Sequence, residues 1–168
     1  MSTQKLDSHI KNDLFATNTN KVISAINRIK ERGNKLYLPI LFELLASQPE
    51  AEVEKEIEKL LSTVKSKDTV PYFAEALENE KFKSIQKTLL TACWQNGLDF
   101  SNYLPVFVEI VITGTWENAF EAFTVIDNME YLPEPQVVDQ VIDRIHIALK
   151  TANEQNQYFL REILVKIR

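Results

Sequence analysis

The chain of 168 residues carries 24 acidic against 19 basic side chains, a formal net charge of −5, and is 45% hydrophobic. That is enough apolar material for one domain with a sizeable core, whereas 3 glycines and 6 prolines exclude a turn-rich β fold. The acidic balance speaks against a nucleic-acid-binding chain, and a single cysteine, Cys93, excludes an intrachain disulfide or a cysteine metal cluster and leans toward a reducing compartment.

The opening stretch, MSTQKLDSHIKNDL, has no apolar core of the kind a secretory signal needs. Its Leu6, Ile10 and Leu14 share one helical face, which predicts a single amphipathic helix within residues 1–19. Next, Val22, Ile26 and Ile29 predict a second helix that stops at Gly33-Asn34. Asn34 to Ser47, NKLYLPILFELLAS, is almost wholly apolar yet contains Pro39. Proline at a first helical position loses no hydrogen bond and has a helical φ already set. It biases the preceding residue away from helix, so Pro39 is expected to separate two helices sharply.

The pattern then returns. A helix with Val53, Ile57, Leu60, Leu61 and Val64 on one face leads to Val70-Pro71; one with Ile85, Leu89 and Ala92 leads to Tyr103-Leu104-Pro105. One with Ala119, Phe120, Phe123 and Ile126 leads to Tyr131-Leu132-Pro133 and Pro135. From Pro39 the prolines follow at 32, 34 and 30 residues, counting Pro135, and the stripes opened by Val22, Val53, Ile85 and Ala119 follow at 31, 32 and 34. Such a period is the mark of a repeat array. Two residues after each proline stand Leu41, Phe73, Phe107 and Val137; six after stand Leu45, Leu77, Val111 and Val141. These positions share a helical face and are the expected core. Phe159, Ile163, Leu164 and Ile167 predict a closing helix within 151–168. The expected architecture is one all-α unit over 1–168: a leading helix, four helical hairpins over 20–150 and a closing helix, about ten helices.

YLPILFELLAS and YLPVFVEIVIT, each preceded by an apolar-striped helix, resemble the proline-led second helix of the HEAT-repeat family, and the likeness covers roughly residues 20–150. The turns ASQPEAEV and ITGTWENA lack that family's usual polar ladder. The resemblance implies a right-handed α-solenoid whose second helices line a concave face that commonly binds a protein or peptide.

Little in the sequence points to catalysis. His9 and His146 lie far apart, in the contexts Ser8-His9-Ile10 and Ile145-His146-Ile147, without the His-Glu pairing that binds iron in HEAT-like hydroxylases. Cys93 follows Ala92 on an apolar face and reads as a small core residue. Gly33, Gly97 and Gly114 are isolated, so there is no phosphate-binding loop. Trp94 and Trp116, near helix connections, read as packing between repeats, with a partner-binding anchor as the alternative. No catalytic residue, metal or cofactor is expected.

Charge is unevenly spread. Residues 1–35 carry seven Lys/Arg and three Asp/Glu, residues 36–143 seven and nineteen, and residues 144–168 five and two. From Thr88 to Asp143 there is no Lys or Arg but nine acids. Four acids share the position four after the repeat proline: Glu43, Glu75, Glu109 and Asp139. The expected function is a non-catalytic, cytoplasmic adaptor that binds a basic protein or peptide through this ladder, with no nucleic acid or membrane as partner. The alternatives are a HEAT-like nucleic-acid-processing module of the DNA-glycosylase kind, which needs a positive groove, and self-association of basic ends with acidic middles.

Overall fold

The computed structural model describes residues 5–168. Among them the protein is all-α, with ten α-helices and no strand. In chain order these are α1 (Ser8–Leu14), α2 (Thr19–Arg32), α3 (Leu38–Ala46), α4 (Ala51–Thr63), α5 (Val70–Glu78), α6 (Gln86–Gln95), α7 (Leu104–Thr113), α8 (Trp116–Asp127), α9 (Pro135–Leu149) and α10 (Glu154–Ile167). Side-chain oxygens start several of them. Asp7, Asn18, Thr115 and Asn153 accept from backbone N–H groups in the first turns of α1, α2, α8 and α10, donors that the helix itself leaves unpaired. Gly33 ends α2 in the left-handed conformation at φ 63°, the usual glycine stop.

The repeat prolines act differently from expectation. Pro39, Pro71 and Pro105 are second, not first, in α3, α5 and α7, and the residue before each is helical: Leu38 (φ −57°, ψ −49°), Val70 (−53°, −48°) and Leu104 (−45°, −44°). Tight 3₁₀ turns, Lys35–Tyr37, Lys67–Thr69 and Ser101–Tyr103, run straight into these helices. The steric bias before proline is overcome because Leu38, Val70 and Leu104 are buried in the core. The proline ring only occupies a position whose N–H has no acceptor. Pro135 behaves as expected: it opens α9 after an extended Glu134 (φ −54°, ψ 146°). Tyr131-Leu132-Pro133 lies in the loop before it, with Tyr131 and Leu132 exposed. In the first copy, by contrast, Tyr37 is buried and its hydroxyl accepts from the Asp7 backbone N–H at 2.7 Å.

Of the expected core positions, Leu41, Phe73, Phe107, Leu45, Leu77, Val111 and Val141 are buried, and Val137 is half-buried beside the buried Val138. Val22, Val53, Ile85 and Ala119 are all buried as well. Two expectations need correction. The first helix is shorter than its apolar stripe: Leu6 precedes it and is 40% exposed, while Ile10 and Leu14 are buried. Residues 1–4 of that element lie outside the described residues. On α8 the buried face is Ala119, Ala122, Val125 and Ile126, so Phe120 is turned out and Phe123 only half-buried. The small Ala119 and Ala122 occupy the inward face, which leaves the aromatics to one side.

Helix contacts run in two series. α2, α4, α6, α8 and α10 each touch the next, and so do α3, α5, α7 and α9. Across the connections, the extensive packing joins α1 to α2 and, most of all, α7 to α8. Each proline-led helix packs on the helix that follows it more than on the one before. Gly114 ends α7 just before α8. Its N–H donates to the Ile110 carbonyl at 2.8 Å, and a Cβ at this position would lie 2.6 Å from that same oxygen. Its backbone angles (φ −79°, ψ 167°) suit any residue, so the requirement for glycine is one of space alone.

A chain of ring contacts crosses the series of α3, α5 and α7. Phe82 meets Phe42 (6.0 Å between centroids), Phe42 meets Phe73 (5.6 Å), Phe73 meets Phe100 (6.1 Å) and Phe100 meets Phe107 (5.6 Å), all tilted or edge-to-face. Phe107→Ala is expected to cost about 3–5 kcal/mol in urea unfolding, the range for a fully buried phenylalanine; a loss below ~1 kcal/mol would show that the ring chain does not hold the core. Gly114→Ala is expected to cost about 1–3 kcal/mol through crowding of the new Cβ against the Ile110 carbonyl, and wild-type stability would show that the end of α7 accommodates a side chain.

Candidate functional site

The four ladder acids stand at one repeated position on α3, α5, α7 and α9, and all four are exposed. The core residues two before and two after each one point that helix's apolar face inward, which leaves the acid on the outer side. The four carboxylates are not equivalent. Glu43 accepts from Lys81 Nζ at 2.7 Å, and Glu109 accepts both the Nε (3.1 Å) and an Nη (2.8 Å) of Arg144. Among the described residues, Glu75 and Asp139 have no ion pair. Two of the four thus tie neighbouring segments together, α3 to the turn after α5 and α7 to α9. The sequence reading missed these partners because Lys81 and Arg144 lie 38 and 35 residues away.

Four of the seven cations of residues 1–35 are engaged in the same manner. Arg28 pairs with Asp13 (2.5 Å), Lys30 with Glu56 (3.4 Å), Arg32 with Asp7 (3.3 Å) and Lys35 with Asp68 (2.9 Å). Asp68 also accepts from the Ser66 hydroxyl; that bond first, and then Lys35, hold its carboxyl below the usual range, while Asp68 pulls the Lys35 ammonium up. Two lysines cap helices from outside. Lys65 Nζ donates to the Asn96 carbonyl at the end of α6 (2.7 Å), and Lys166 Nζ to the Asp127 carbonyl at the end of α8 (2.8 Å). Both place a positive charge on the negative end of a helix dipole.

Of the nine acids between Thr88 and Asp143, eight are exposed and Glu121 is half-buried. The Glu121 carboxylate accepts from the Trp94 indole N–H at 2.6 Å, joining α6 to α8. The two tryptophans therefore differ: half-buried Trp94 is fixed between neighbouring helices, whereas Trp116 is 48% exposed. Trp116 stacks on Phe120, with ring centroids 5.6 Å and planes 16° apart. Together with Glu154, Gln155, Tyr158 and Phe159 this pair lines a groove between the N-terminal turns of α8 and α10. The signal for it was present as two equal spacings, Trp116/Phe120 and Glu154/Tyr158, each beginning at the first residue of its helix.

His9 and His146 are exposed on α1 and α9, and His146 Nε2 lies 3.0 Å from an Arg168 nitrogen. Cys93 is buried, and burial pushes its thiol well above the ordinary range. Among the described residues, no three His, Cys, Asp or Glu side chains converge to hold a metal ion, and no helix is long and apolar enough to cross a membrane. No family model matches the chain, and it has no match among curated proteins.

The Cys93 thiol stays protonated in the folded chain after it would ionise in the unfolded one. This contribution to stability is complete below the unfolded pKa of about 8.5 and is lost as pH rises above it. Wild-type stability is expected to fall more steeply with pH than that of Cys93→Ala above pH ~8.5, by up to about 1.4 kcal/mol per pH unit; parallel profiles in urea titrations would contradict this. Glu109→Gln is expected to cost no more than about 1 kcal/mol, because its ion pair with Arg144 is exposed, and the loss is expected to shrink in ~1 M salt. A larger, salt-insensitive loss would show that Glu109 has a packing role.

Proposed function

We propose that the chain is a HEAT-like α-solenoid, a right-handed stack of antiparallel helical hairpins, that acts without catalysis as a cytoplasmic protein–protein scaffold. In this reading a lysine- or arginine-bearing protein segment lies along α3, α5, α7 and α9 and is held by Glu43, Glu75, Glu109 and Asp139. The two series of successive helix contacts support the solenoid. The observation that carries the binding reading is the surface supplied by residues 88–143. It contains nine acids and no cation, and among the described residues Glu109 is the acid there that has an ion pair. Like charges crowded in this way repel and create a potential that attracts a basic segment. Of the four ladder acids, Glu75 and Asp139 are exposed and unpaired among the described residues, while Glu43 and Glu109 exchange their present cation for the partner's.

A nucleic-acid reading is less well supported. Phosphates would have to be held by lysines and arginines, and Arg28, Lys30, Arg32 and Lys35 already face carboxylates. The test uses a lysine–glycine repeat peptide titrated into the full chain by calorimetry. Binding is expected to weaken steeply as salt rises through ~0.1 M, where exposed charges are screened within about 10 Å. Glu75→Gln with Asp139→Asn is expected to weaken it and flatten its salt dependence while the circular dichroism spectrum stays the same. Binding that ignores both substitutions would refute the ladder as the docking surface.

A further inference from the structure

The groove between α8 and α10 belongs to the other contact series from the ladder, and its chemistry is independent of the ladder acids. Trp116 and Phe120 stand one turn apart on α8 and stack; Glu154 and Tyr158 stand one turn apart on α10. Phe159 forms the floor, 6.1 Å from Phe120 and 5.9 Å from Tyr158 between centroids. Above that buried ring three large aromatics stay open to solvent: Trp116 at 48%, Phe120 at 43% and Tyr158 at 59%. An aromatic cluster left this exposed on one patch marks an interaction surface.

The charge around it selects the partner. The groove lining contains one ionisable group besides Tyr158, the carboxylate of Glu154, and no cation. Glu117 follows Trp116 on α8 and is exposed, and α8 carries no Lys or Arg. The nearest arginine along α10, Arg161, directs its guanidinium to Gln157 at 3.4 Å. A wholly apolar guest would cover the Glu154 carboxylate without satisfying it, at a cost in desolvation. A cation is attracted by both the ring faces and the carboxylate. Arginine suits the groove better than lysine, because its planar group stacks on a ring while its N–H fork bonds a carboxylate. The geometry points to this groove as a receptor for an arginine side chain of a partner protein. The guanidinium stacks on the Trp116 and Tyr158 rings and donates to Glu154.

An acetylated oligo-arginine peptide is the probe, with oligo-lysine and oligo-norleucine peptides of equal length as comparisons. Each is titrated into the full chain in ~0.15 M salt and followed by tryptophan fluorescence and calorimetry. The arginine peptide is expected to perturb Trp116 emission and bind about threefold or more tighter than the lysine peptide. The norleucine peptide is expected to leave the signal unchanged. Trp116→Ala and Glu154→Gln are each expected to weaken arginine-peptide binding about threefold or more, and Glu75→Gln with Asp139→Asn to leave the arginine preference in place. If Trp116→Ala loses helicity, Glu154→Gln, an isosteric change on an exposed side chain, decides. Equal affinity for arginine and lysine, tight norleucine binding, or indifference to both groove substitutions would overturn the proposal. So would a dimer in sedimentation that covers Trp116, which would assign the groove to a second copy of this chain.

Discussion

Phe42, Phe73, Phe100 and Phe107 touch in sequence along the inside of the protein, with Phe82 closing one end, and each ring belongs to a different helix or turn. The buried apolar residues of all ten helices form one cluster. Helices of nine or ten residues, such as α3, α5 and α7, are too short to persist alone in water. Large rings that reach from one helix or turn to the next therefore help to hold these helices together. Their tilted and edge-to-face geometry adds to the area they bury.

The polar contacts follow the same plan. Lys65 and Lys166 cap the ends of α6 and α8 from neighbouring segments, Asn96 donates to the Leu61 carbonyl near the end of α4 at 3.4 Å, and Trp94 reaches Glu121 on α8. Each of these bonds spans 27 to 39 residues, about one repeat. Exposed ion pairs of the Glu43–Lys81 and Glu109–Arg144 kind add little stability each, but they set which carboxylates stay free. The charge left free on the surface is thus what remains after part of it has joined neighbouring segments.

The aromatic groove has a cause in packing. On α8 the small side chains Ala119 and Ala122 are buried with Val125 and Ile126. With that face committed, Trp116 and Phe120 lie off the core, and Phe120 meets Phe159 of α10. A bulkier residue at Ala119 or Ala122 would push the helices apart and change the rotation of α8, and the groove with it.

The helical class, the number of helices and the repeated core positions were legible in the residues, because a helix that buries one face must repeat apolar side chains at its own period. Leu41, Phe73 and Phe107 are buried where that period puts them. The exposure of the four ladder acids was legible for the same reason. What the sequence could not supply was any relation between residues a repeat apart. That Arg144 and Lys81 would neutralise Glu109 and Glu43, and that burial would keep Leu38, Val70 and Leu104 helical before their prolines, depends on side chains brought together by stacking. The rotation of α8 is the clearest case. Local periodicity assigned Phe120 to the core alongside Ala119, and only the burial of Ala119, Ala122, Val125 and Ile126 together turned that ring outward.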